Sequence, residues 1–177
     1  GAGITDISGT VETEVFSVGK KTVNLLDGAT VITTRFVSGN TENDQPSIVS
    51  IGEGARLIVT GDTDTDKTDT SFLLAHWRRS DSSLVLNGGE ISALRTSLHM
   101  GWDSAGRFEA LAGEAYLKGI LFSSTTNNAD SFILGGATVN IGSGGISGFA
   151  ADDTVELGNG TIAATADFSI TARGGVM

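Results

Sequence analysis

His76, Trp77, Arg78, Arg79, Ser80 and Asp81 are consecutive, and His99, Met100, Gly101, Trp102 and Asp103 follow a short distance on. Both tryptophans, both histidines and four of the seven arginines (Arg78, Arg79, Arg95, Arg107) lie between positions 76 and 107. These residue types suit sugar recognition. An indole covers the apolar C–H face of a pyranose, while arginine, aspartate and histidine reach its equatorial hydroxyls. If the chain is built of stacked repeats, the interval between Trp77 and Trp102 puts the two rings nearly one above the other. Asp81 and Asp103 then neighbour each other on the same edge, and Tyr116 with Glu114 continues the surface one repeat further. The competing reading makes the tryptophans large packing residues with arginines laid over them.

Two other chemistries are written into the same stretch. Asp62, Asp64, Asp66 and Asp69 alternate through a polar insert at 61–71, and alternating carboxylates in a turning loop can converge on Ca²⁺. The pattern is half complete, because Lys67 and Leu73 stand where a calcium loop of the EF-hand type has Gly and Glu. A solvated acidic loop is the alternative. For catalysis, Asp81 and Asp103 could pair as acid and base, and Ser80 or Ser97 could sit beside His76 or His99. Neither set has a recognisable sequence context, so the chain reads as non-catalytic. A short polysaccharide lyase or hydrolase is the least supported option.

The elements that position these residues are short strands punctuated by glycine. Gly28, Gly54, Gly89, Gly113, Gly136 and Gly160 each precede a small or polar residue and then an aliphatic one. Their spacings are 26, 35, 24, 23 and 24 residues, a period that marks stacked-repeat architecture. Apolar and polar residues alternate at period two through 10–16, 22–25 and 30–32, which is the strand signature. The segment 84–91 aligns with 108–115 at an offset of 24, then with 132–139 and 155–162. The predicted fold is therefore all-β: one parallel β-helix (β-solenoid) of about seven coils spanning 1–177. Right-handedness is expected by analogy with parallel crossovers. Stacking should place Leu84 under Phe108, Ile91 under Ala115 and Val139 under Ile162, with Phe108, Phe122, Phe132, Phe149 and Phe168 filling the lumen. The insert at 61–71 explains the long interval of 35, and insertions in solenoids become loops on one face.

Composition narrows the partners. The net charge of −10 opposes nucleic acid, anionic membranes and acidic polysaccharides, and leaves neutral glycans open. The absence of cysteine removes disulfides, thiol nucleophiles and thiolate metal sites. No stretch approaches the roughly 20 apolar residues of a membrane span. The opening Gly1, Ala2, Gly3 and Ile4 lacks a basic region and an apolar one, so an exported protein would carry its signal elsewhere. Abundant Thr, Ser, Gly and Asn with few Lys fits a secreted or cell-surface bacterial β-protein.

Segments 84–91, 132–146 and 155–162 resemble the LNGGTLN…GSGGI repeats of bacterial autotransporter-like surface proteins, through Leu86-Asn87-Gly88-Gly89 and Gly142-Ser143-Gly144-Gly145-Ile146. In size and solenoid repeats the chain also resembles the parallel β-helix carbohydrate-binding modules that accompany gut-bacterial xylanases. The second resemblance implies a non-catalytic module for a neutral plant cell-wall polysaccharide, xylan first, borne in a parent chain with a glycoside hydrolase domain. On that reading Trp77 and Trp102 stack on sugars, and Arg78, Arg79, Asp81, His99, Asp103 and Tyr116 read hydroxyls. The first resemblance implies a structural stalk or adhesin segment, in which the repeats supply only length.

Overall fold

The structure, a computed structural model, describes residues 3–40, 46–64, 70–77, 80–122 and 129–172. Each coil contributes strands to three faces, and every strand pairing is parallel. The first face stacks β1 (Gly3–Ile7), β3 (Lys21–Leu25), β5 (Ser47–Ile51), the start of β8 (Ser82–Met100), the start of β9 (Gly106–Phe122), β10 (Ser131–Leu134) and β12 (Thr154–Leu157). The second takes the start of β2 (Thr10–Val18), the start of β4 (Thr30–Ser38), β6 (Arg56–Val59), the middles of β8 and β9, the start of β11 (Thr138–Phe149) and β13 (Thr161–Ala164). The third face holds the ends of β2, β4, β8, β9 and β11 together with β7 (Phe72–Leu73) and β14 (Ile170–Ala172). Seven strands on a face amount to about six turns of one all-β solenoid.

The alternation read from the sequence sets which side chains enter the lumen. Leu84 pairs with Phe108, Ile91 with Ala115 and Val139 with Ile162, as the repeat alignment requires. One inward column runs Val23, Val49, Leu84, Phe108, Phe132 and Val155, and all but the last are buried. The Phe108 and Phe132 rings stack at 5.5 Å, and Phe122 meets Phe149 edge-on at 5.8 Å. Each coil thus adds a layer to one continuous apolar core, and burial of these layers is the main force holding the stack.

The corner leading from the third face to the first is built differently. Ser38, Ser47, Ser80, Ser82, Ser104 and Asp130 are buried there. The Ser82 hydroxyl bonds that of Ser38, and the Ser80 N–H donates to Ser104 Oγ at 2.9 Å. The Gly106 N–H donates to the Asp130 carboxylate at 2.8 Å, and the Asp130 N–H to Asp153 at 2.9 Å. Partnering of this kind lets polar groups be buried beside an aliphatic lumen without a large desolvation cost. The seam underlies the edge that carries both tryptophans.

The insert lies against the third face. Residues 61–64 and 70–71 are its described parts, with Asp64 meeting the Ser97 N–H and lying 3.8 Å from His99, and the outward positions Val37, Leu73 and His99 of this face are buried. An outward column normally meets water. Here it is covered.

Candidate functional site

In the second, third and fourth coils the third-to-first corner opens on a left-handed residue: Gly39 (φ 72°), Ala75 (φ 55°) and Gly101 (φ 65°). The left-handed turn swings the chain off the sheet. Backbone bonds then tie the corners together: His76 N–H to Ser38 C=O at 3.3 Å, Trp77 N–H to Gly39 C=O at 3.0 Å, and Asp103 N–H to Ala75 C=O at 3.2 Å. Trp77 emerges at the edge with 43% of its surface exposed. Its indole N–H donates to Asn40 Oδ1 at 3.0 Å, and its ring lies 5.3 Å from that of His76. Trp102, half-buried on the next coil, stacks on His99 at 6.3 Å with the planes 13° apart. Each indole therefore has a histidine of its own coil as ring partner.

The residues expected to read a ligand separate into three places. Trp77, Asp81, Trp102 and Asp103 share the corner. Asp81 is exposed, but one carboxylate oxygen accepts the Ala105 N–H at 3.1 Å, so the side chain also staples adjacent coils. Tyr116 stands on the second face, which does not adjoin that corner, and its hydroxyl donates to Glu114 Oε2 at 2.5 Å. That bond, with the charges of Glu114 and Glu90, pushes the phenol above its ordinary range. His99 is buried under the insert rather than displayed. Arg78 and Arg79 lie outside the described residues.

The insert is anchored by Asp64. Its Oδ1 accepts the Thr96 hydroxyl at 2.5 Å and the Ser97 N–H at 2.9 Å, while Oδ2 pairs with Lys118 Nζ at 2.6 Å. Burial pushes this carboxyl up, but the bonds from Lys118, Thr96 and Ser97 together outweigh it and hold the group below the usual carboxylate range. His99 Nε2 lies 3.8 Å from Asp64 Oδ1 and has no hydrogen-bond partner. Burial keeps His99 below the ordinary imidazole range, with Asp64 pulling the other way. Asp62 pairs with Arg95. Both described carboxylates of the expected calcium set are thus met by cationic side chains, and Asp66 and Asp69 lie outside the described residues. Among the described residues no three His, Asp or Glu side chains converge as a metal would need.

For the catalytic options, Ser80 is fully buried, and Ser97 meets Asp64 through its backbone N–H. Two shallow depressions lie elsewhere. One, of about 410 Å³, is lined by Glu12, Glu14, Thr34 and Thr60; the other, of about 290 Å³, by Gly54, Gly89, Arg56 and Glu90. Sequence reasoning missed Asn40 and Lys118. Asn40 was visible only as one polar residue in the loop 39–47, and Lys118 as one outward strand position. Among the described residues no helix is long and apolar enough to cross a membrane. No protein-family model matches the chain, and no curated protein or solved structure does either.

Proposed function

We propose that this solenoid is a non-catalytic carbohydrate-binding module for a neutral plant cell-wall polysaccharide, with xylan the favoured ligand. The observation that carries the reading is Trp77: a large aromatic ring, 43% exposed, held by a hydrogen bond on an otherwise polar edge. An apolar ring left in water and fixed in place suits stacking on a sugar face, where a preformed platform loses little entropy on binding. Trp102, one coil on, supplies a second ring, with Asp103 and the free oxygen of Asp81 as acceptors for hydroxyls. Arg78 and Arg79, adjacent in sequence to Trp77, are proposed as donors. The net charge of −10 favours an uncharged glycan over an acidic one. A glycoside hydrolase domain in the same parent chain, and export to the cell surface or medium, belong to the same proposal.

Affinity electrophoresis in gels containing xylan, glucomannan, cellulose derivatives or pectin tests this. The wild type should be retarded by one neutral glycan, and Trp77→Ala should lose most of that retardation with its melting temperature unchanged. Retardation by none of the four sinks the reading. The second reading, a stalk or adhesin segment, is favoured by the unbroken inward columns, which would give the same rigid rod without any ligand. It predicts no retardation and no dependence on Trp77.

A further inference from the structure

Asn40 touches three coils at once. Its Oδ1 lies 3.0 Å from the Trp77 indole nitrogen and 2.9 Å from His76 Nδ1, and its Nδ2 donates to Ser17 Oγ at 2.9 Å. Ser17 belongs to the first coil, Asn40 to the corner after the second, and His76 with Trp77 to the corner after the third. An indole N–H can only donate, so the amide atom facing it must be the oxygen. The same oxygen faces His76 Nδ1, so that nitrogen must carry a proton, which fixes the neutral His76 tautomer. The amide NH₂ is then turned to Ser17. Each member of the set dictates the next.

We infer that Asn40 is a positioning residue: by accepting from both Trp77 and His76 it fixes the Trp77 indole as a rigid stacking platform. This inference rests on the carbohydrate-binding reading and deepens it. It adds Asn40, with Ser17 behind it, to the residues that shape the Trp77 end of the site. A side chain freed of this bond would sample other rotamers, and a sugar would have to order it on binding. Loss of one such bond should weaken glycan binding about three- to tenfold.

The test compares Asn40→Ala with Asn40→Asp, which keeps an acceptor for both donors. Time-resolved fluorescence anisotropy, read on Trp77 alone in a Trp102→Phe background, reports indole motion without any ligand. Affinity electrophoresis with Trp102 intact reports binding to xylan or whichever glycan retards the wild type. We expect Asn40→Ala to show a fast local depolarisation and a three- to tenfold loss of retardation, and Asn40→Asp to restore both. An unchanged anisotropy decay in Asn40→Ala overturns the positioning role. So does a loosened indole with undiminished retardation. If the wild type is retarded by no glycan, the carbohydrate reading fails and the platform with it, while the anisotropy still shows whether Asn40 holds the ring.

Discussion

Two glycines that occupy similar motifs answer to different constraints, and substitution can separate them. Gly28 has φ 73° with open space where a Cβ would point, whereas Gly113 has φ 92° and a Cβ there would run into the Gly88 and Gly89 backbone of the preceding coil. A left-handed conformation alone costs an L-residue about 1–2 kcal/mol. Gly28→Ala should therefore destabilise by about 1 kcal/mol, and Gly113→Ala by at least about 3 kcal/mol, since it also forces two coils apart. Chemical denaturation of the two variants checks this, and equal losses would contradict it. The same distinction applies to the aromatic residues. Trp77 and Trp102 are alike as residue types, but Trp77 is the more exposed and its N–H is anchored by Asn40, so its replacement should cost binding while that of a core ring costs stability.

At the scale of the element, the described start of the insert is held to the stack by an anchor that is partly ionic. Asp64→Ala removes the partner of Lys118 and the acceptor of the Thr96 hydroxyl and Ser97 N–H. Limited proteolysis within 61–71 should then accelerate severalfold while the strands stay protected. Acid should act in two stages. His99 has a folded value below its unfolded one, so stability is full above about pH 6.5 and falls as the pH drops through the folded value. Asp64 is also depressed, so its contribution is full above about pH 3.9 and is lost as the pH falls through its folded value. Both stages have the same sign. His99→Leu should abolish the upper stage and leave the lower, measured as melting temperature against pH; an upper stage that survives in His99→Leu would show that another group titrates.

Across the whole molecule, stability is a sum of coil layers and their nearest-neighbour contacts. Phe108 sits in the middle of its column, fully buried and stacked on Phe132. Phe108→Ala should cost about 3–5 kcal/mol, because the layers on either side cannot collapse into the gap. Among the described residues, strands at the two ends have one neighbour each: β1 pairs with β3 alone, and β14 with β11 alone. Strands β8 and β9 are flanked on both sides. Amide exchange should therefore run fastest in β1 and β14 and slowest in β8 and β9. Uniform exchange along the stack would mean that the coils open as one unit.

The parallel stacking and several of the lumen columns were legible in the sequence alone, though the buried Phe36 and Phe72 were not among the expected lumen residues. Period-two alternation fixes which side chains face inward, and a repeat near 24 residues fixes which of them meet; Leu84 with Phe108 and Val139 with Ile162 follow from those two facts. The candidate site was legible only as a set of residue types. Tertiary structure alone decided that Tyr116 stands on a different face from the tryptophans, that His99 is covered, and that Asn40 meets Trp77. The reason lies in the corners. Strands repeat in register because their ladder bonds and apolar columns demand it, but the third-to-first corner takes residues 74–81 in one coil and 101–105 in the next. Side chains on a corner are placed by its own length and hydrogen bonds, and an interval near one repeat no longer guarantees that two of them stack. The placement of the insert's described start is likewise set by partners far away in sequence, Asp64 with Lys118 above all, which no local pattern announces.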